Sequence, residues 1–160
     1  MLKILEKLNP SQKEAVETTQ GPVLIIAGAG SGKTRALTHR VAYLILEKNI
    51  SPGNILAVTF TNKAAEEMKK RVAELLAGTS KALPHIGTFH SICSRILRRE
   101  IDKIGYARNF SILDQQDQLA LLKNVCQELS LNPEQFRPQS AAETISKAKN
   151  ELLGAEDFAK

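Results

Sequence analysis

Two unbroken apolar runs stand out in the first sixty residues. Val23-Leu24-Ile25-Ile26-Ala27 and Ile55-Leu56-Ala57-Val58-Thr59-Phe60 carry no charge and are rich in β-branched residues, a pattern typical of strands buried on both faces of a parallel sheet. Between them Leu37, Val41, Leu44 and Ile45 recur at helical spacing from Lys33 to about Lys48. Strand, helix and strand make a βαβ unit. Asn9-Pro10 opens an earlier helix to about Thr19, because Asn is a good cap and Pro suits the first helical position; Gly21-Pro22 breaks it. Ser51-Pro52-Gly53-Asn54 reads as a turn.

Polar and apolar positions then alternate at helical period. Lys63 to about Leu76 places Ala64, Met68, Val72 and Leu75/Leu76 on one face. His85–Thr88 is a third short strand, and Phe89 to about Ile104 a helix with Ile92, Ile96 and Leu97 inward and Arg95, Arg98 and Arg99 outward. Beyond Gly105 the rhythm changes. Phe110–Leu113 is a brief strand, Asp114 caps a helix to about Leu129, Asn132-Pro133 starts another, and Ala141–Leu153 forms the last. An α/β layer over residues 1–109 and a helical appendage over 110–160 follow from this pattern.

Composition narrows the class. The 160 residues are 42% apolar and 24% charged, ordinary for a globular chain and unlike a disordered one. No apolar run approaches the roughly 18 residues of a membrane span, and no secretory leader pattern follows Met1. Cys93 and Cys126 make neither a metal quartet nor a disulfide framework and read as small buried apolar residues, so a reduced cytoplasmic setting is the expectation. Residues 1–100 carry 15 Lys/Arg against 8 Asp/Glu, and residues 101–160 carry 7 against 9. The basic first section suits a polyanion; the acidic remainder does not.

The candidate chemistry lies where the first run ends. Ala27-Gly28-Ala29-Gly30-Ser31-Gly32-Lys33-Thr34 joins the strand to the helix. Glycines let backbone N–H groups form an anion nest, and the helix N-terminus adds its partial positive charge. Lys33 is then placed for the β- and γ-phosphates of a nucleotide and the Thr34 hydroxyl for Mg²⁺. The stretch starts with Ala where the usual phosphate-loop pattern has Gly; the strand before and helix after supply the required context.

Four blocks in register carry a family resemblance. Leu8-Asn9-Pro10-Ser11-Gln12, Ala27–Arg35, Thr59-Phe60-Thr61-Asn62-Lys63-Ala64-Ala65-Glu66-Glu67-Met68 and Gly87-Thr88-Phe89-His90-Ser91 together resemble the start of the UvrD/Rep/PcrA-like superfamily 1 DNA helicases. The resemblance is dense to about residue 115. It implies a RecA-like P-loop NTPase fold: a parallel sheet flanked by helices, incomplete here, followed by the start of a helical insertion. It implies ATP and Mg²⁺ as cofactors, with Gln12 reading the adenine edge, Lys33 and Thr34 catalytic, and Arg35 near the nucleotide. Phe60, Thr61, Asn62, Thr88, Phe89 and His90 match the family's contacts to single-stranded DNA, where an aromatic ring stacks on a base. Core packing is the competing reading for Phe60, and a solvated helix face for Arg95, Arg98 and Arg99. His39 and His85 read as structural or surface histidines.

One part of the family's machinery has no match. Hydrolysis in this family uses an Asp-Glu motif and an arginine finger, and the 160 residues contain no Asp-Glu pair. Asp114-Gln115-Gln116-Asp117 does not fit it. The expectation is the N-terminal part of an ATP-dependent DNA helicase, with a second RecA-like domain in the remainder and no membrane partner, and with the piece itself inactive. The alternatives are a nucleotide- or DNA-binding remnant without turnover and a non-motor P-loop kinase.

Overall fold

The computed structural model describes residues 4–132 and 136–159. The chain divides into two compact units, Met1–Arg108 and Asn109–Lys160. In the first, helix α1 (Pro10–Glu17) opens with a reciprocal cap: Asn9 Oδ1 accepts from the Gln12 amide N–H at 2.8 Å, and Gln12 Oε1 accepts from the Asn9 N–H at 3.2 Å. Two orphan donors of the first turn are thereby satisfied. Helix α2 (Lys33–Leu46) follows the glycine loop and a short 3-10 turn spans Pro52–Asn54. Strand β1 (Leu56–Thr59), helix α3 (Asn62–Leu75) and strand β2 (His85–Thr88) form a β-helix-β crossover, with β1 and β2 parallel and Thr59 level with Thr88. Helix α4 (Phe89–Glu100) leaves β2 directly and ends in a 3-10 turn, Ile101–Ile104.

The core of this unit is one cluster in which Leu5, Leu8, Val16, Val41, Ile45, Met68, Val72 and Ile86 meet. Burying such a side chain contributes roughly 1.5–3 kcal/mol. On α3 the expected Met68, Val72 and Leu76 are buried and Leu75 is half-buried, but Ala65 rather than Ala64 is the small residue inside. On α2 the expected Leu37 is exposed, and Ala36, Thr38, Ala42 and Tyr43 join Val41 and Ile45 inside.

Other expectations are corrected as well. Residues 23–27 are not a strand, because a strand exists by its ladder and no described segment pairs with this one; Leu24 is 83% and Ile26 89% exposed. The βαβ unit is therefore β1-α3-β2. Leu56 is exposed rather than buried on both faces, since the sheet has two strands. Ile96 and Leu97 of α4 face solvent with no element over them in this unit, and only Ile92 of that helix is buried. Cys93 is exposed and Cys126 half-buried, so neither is a sealed apolar residue.

The second unit comprises α5 (Gln115–Glu128), α6 (Pro138–Asn150) and α7 (Ala155–Phe158). Asp114 caps α5 as the sequence indicates, with Asp117 closing the box. Phe110–Leu113 forms no strand. Helix α6 begins earlier than Ala141 because Pro138 opens it. The helix start at Asn132-Pro133 lies partly outside the described residues. Among the described residues no helix is long and apolar enough to cross a membrane.

Candidate functional site

The loop between residues 27 and 33 closes on itself through polar contacts. Gly32 caps α2 with φ of +88°, a left-handed conformation, and a Cβ there would stand 2.4 Å from Gln12 Nε2. Glycine is required on both counts. The helix has no side-chain cap and its first backbone bond runs from the Ala36 N–H to the Gly32 carbonyl, which leaves the amides of Lys33, Thr34 and Arg35 ahead of the ladder. Such an end attracts anions.

Lys33 Nζ donates to the Ala27 and Gly28 carbonyls at 2.6 and 2.7 Å, and Ser31 Oγ donates to Gly28 O at 2.6 Å. Gln12 Nε2 donates to Ser31 O at 2.9 Å, so one amide serves both the α1 cap and the loop. These groups surround an open hollow of about 390 Å³ lined by Gln12, Gly28, Gly30, Ser31, Gly32, Lys33, Thr34, Arg35 and Arg71. Most of the expected loop set therefore meets in one place; Ala27 touches it through its carbonyl on Lys33, and Ala29 is exposed beside it. Arg35 is exposed and donates to the Lys7 carbonyl at 3.4 Å.

Arg71 was not singled out from the sequence. It lies on α3, paired with Glu67 four residues earlier, and reads in isolation as an ordinary helix-surface ion pair. Only the packing of α3 against α2 brings it to the hollow.

A second set of expected residues gathers at the carboxyl ends of β1 and β2, the side on which open α/β sheets bind ligands. Phe60 is 90% exposed, which excludes the core-packing reading, and its ring centroid lies 5.6 Å from that of Phe89 at an interplanar angle of 46°. Thr61 Oγ1 caps α3 by accepting from Ala64 N–H at 3.2 Å; Thr88 Oγ1 caps α4 by accepting from Ser91 N–H at the same distance. Asn62 and His90 are exposed in the first turns of those helices, while Thr88 is buried. Both helices thus present their N-termini beside the aromatic pair.

Other basic residues bond groups within the fold. His39 Nδ1 bonds the Ile4 carbonyl at 2.6 Å. Arg98 donates to Arg108 O at 2.7 Å, and the Arg108 guanidinium beside Asp102 holds that carboxyl below its usual range while its own pKa is raised in turn. Lys103, by hydrogen bond and charge, lowers Glu100 likewise. His85 is exposed at the start of β2.

Comparison with known proteins decides among the possible owners of such a loop. The model of the UvrD/REP helicase N-terminal domain matches residues 8–160. The chain belongs to the UvrD/REP helicase family. It is 59% identical over 98% of its length to a protein of Bacillus subtilis (strain 168) named ATP-dependent DNA helicase PcrA, and covers 21% of that relative. Proteins of the same name from Staphylococcus epidermidis and Staphylococcus aureus are 53% and 51% identical over the same share. The chain thus spans about a fifth of the length of the curated relatives it matches. The matched UvrD/REP segment includes the glycine loop, both strand ends and the second unit.

Proposed function

We propose that this chain is the N-terminal part of an ATP-dependent DNA helicase, binding ATP at residues 27–35 and single-stranded DNA at the ends of β1 and β2. The observation that carries the reading is Lys33 folded over the carbonyls of its own loop at an uncapped helix N-terminus. An ammonium group and unpaired amides converge where a triphosphate needs them. Lys33 would bridge the terminal phosphates, Arg35 and Arg71 flank them, and the Gln12 amide would meet the adenine edge, giving up its bond to Ser31 or sharing it.

The donor set fits Mg²⁺ in part. Thr34 is exposed beside Lys33 and offers one hard oxygen, as the ion prefers. Among the described residues no group of three or more His, Cys, Asp or Glu is gathered to complete a shell. When bound, the ion would neutralise charge on the phosphates. With no Asp-Glu pair in the sequence, these residues are read as binding the nucleotide without rapid hydrolysis, turnover and unwinding belonging to the complete enzyme. A RecA-like motor domain over residues 1–109, followed by the start of a helical insertion, completes this reading.

On the DNA side the exposed Phe60 ring is the stacking surface, with Phe89 beside it and His90 and Asn62 at helix N-termini that favour phosphate. Helix α3 links the two sites: it starts at Asn62, two residues after Phe60, and Arg71, about 14 Å along the axis, lines the phosphate hollow. A small-molecule kinase has no use for the strand-end surface, and family membership leaves it unsupported.

Titrating ATP and a labelled single-stranded oligonucleotide into Lys33→Ala tests the reading. The variant removes a phosphate ligand and no core volume, so ATP affinity should fall by more than about tenfold, as for loss of a charge-assisted hydrogen bond. Oligonucleotide affinity and melting temperature should hold. Unchanged ATP affinity would overturn the assignment of the loop.

A further inference from the structure

Helix α1 is fastened at both ends, and the residue at its far end belongs to none of the blocks that mark the family. Arg40, half-buried midway along α2, donates through Nη1 to the Ala15 carbonyl at 2.6 Å and to the Thr18 carbonyl. These oxygens sit in the last turn and cap region of α1, where carbonyls have no intrahelical donor, and a guanidinium there also opposes the negative end of the helix dipole. At the other end stands Gln12, bonded to the Ser31 carbonyl of the phosphate loop. Between them Val16 is fully buried. The helix is about 12 Å long, a short rigid lever.

The tolerance at the Gln12 end is small. Its Nε2 lies 2.4 Å from the position a Cβ on Gly32 would take, so the amide already occupies the space that glycine leaves. A tilt of α1 that is trivial for folding would move the amide off the loop. His39 and Arg35, on the same helix as Arg40, bond the Ile4 and Lys7 carbonyls of the segment leading into α1. Of the three, Arg40 holds the helix itself.

We propose that Arg40 is a positioning residue for base recognition: by capping α1 it sets where the Gln12 amide meets the nucleotide. This rests on the reading of Gln12 as the adenine contact. The role predicts a loss that depends on the base and spares the phosphates. ATP and inorganic tripolyphosphate are therefore titrated into the 160-residue chain, Gln12→Ala, Arg40→Gln and the double variant. Arg40→Gln and Gln12→Ala should each weaken ATP about tenfold, the scale of one well-placed hydrogen bond. Tripolyphosphate affinity should be unchanged, and the double variant should bind ATP no worse than Gln12→Ala alone. Should Arg40→Gln fail to fold, Arg40→Lys, which keeps the charge on a shorter side chain without the planar guanidinium, carries the same test. If Gln12→Ala shows the selective loss and the Arg40 variant does not, or loses both ligands equally, the positioning role is overturned. If Gln12→Ala shows no selective loss, the adenine reading itself fails, and the proposal with it. Failure of the unmodified chain to bind either ligand would overturn the phosphate loop beneath both.

Discussion

The phosphate loop and the strand-end surface answer the same difficulty in opposite ways. Around residue 30 three polar side chains bond the loop's own carbonyls: Lys33 on two of them, Ser31 on Gly28, Gln12 on Ser31. At the strand ends the hydroxyls of Thr61 and Thr88 are likewise committed as caps, but the Phe60 ring is left in solvent. A polar side chain can bond its own backbone, whereas the Phe60 ring at the rim of the sheet meets the Phe89 ring and stays open to solvent. On the proposed reading, binding an anion at the loop is an exchange, in which Lys33 releases carbonyls to reach phosphates. Stacking a base on Phe60, as proposed, would only cover what is already open. The first event must move the loop; the second need not move the backbone.

Substitutions that separate the two regions sharpen this contrast. The largest effect is expected at Phe60. Its truncation should weaken single-stranded oligonucleotide binding by about 1–3 kcal/mol, the scale of base–aromatic stacking, while ATP affinity and melting temperature hold because the ring is 90% exposed. A lowered melting temperature with intact DNA binding would make the ring structural. Gly32→Ala is the counterpart on the other side. A left-handed backbone costs a Cβ-bearing residue roughly 1–2 kcal/mol, and the new methyl drives Gln12 from the loop. Calorimetry should show the lost stability and titration a weaker ATP complex, with oligonucleotide binding intact; equal damage to both ligands would mean the regions are not separable.

The smallest effect lies away from both. The Asp102 carboxyl is held below its usual range by the Arg108 guanidinium. A depressed carboxyl contributes stability above its unfolded pKa of about 4 and loses it as pH falls through the lower folded value. Both partners are solvent-exposed, so the increment is minor and salt-sensitive. Asp102→Asn should flatten the acid limb of the melting curve slightly and leave ATP and DNA binding untouched. A shift in either affinity would tie this corner to a site.

Helices were the legible part of the sequence because their signals are local. Asn9 before Pro10, and Asp114, announce helix starts on the spot, and most of the α3 face can be read from spacing alone. Residues 23–27 show the limit: their composition is that of a strand, yet a ladder needs a neighbour that no local pattern supplies. The same holds for Ile96 and Leu97, whose spacing fits a buried face that no element of the first unit covers. At the site, the loop and Phe60 could be named from residue type and order. Arg71 and Arg40 could not, since each looks like a solvated helix cation until packing sets it beside the hollow or the end of α1.

Amide resonances of residues 28–35, followed by NMR as ATP is added, address the central claim most directly. The account predicts saturable shifts across the loop and the first turn of α2, with the Lys33 ammonium resonance moving as it leaves the Ala27 and Gly28 carbonyls, and little change at Phe60 and Phe89. Loop resonances that stay fixed at saturating ATP would contradict it.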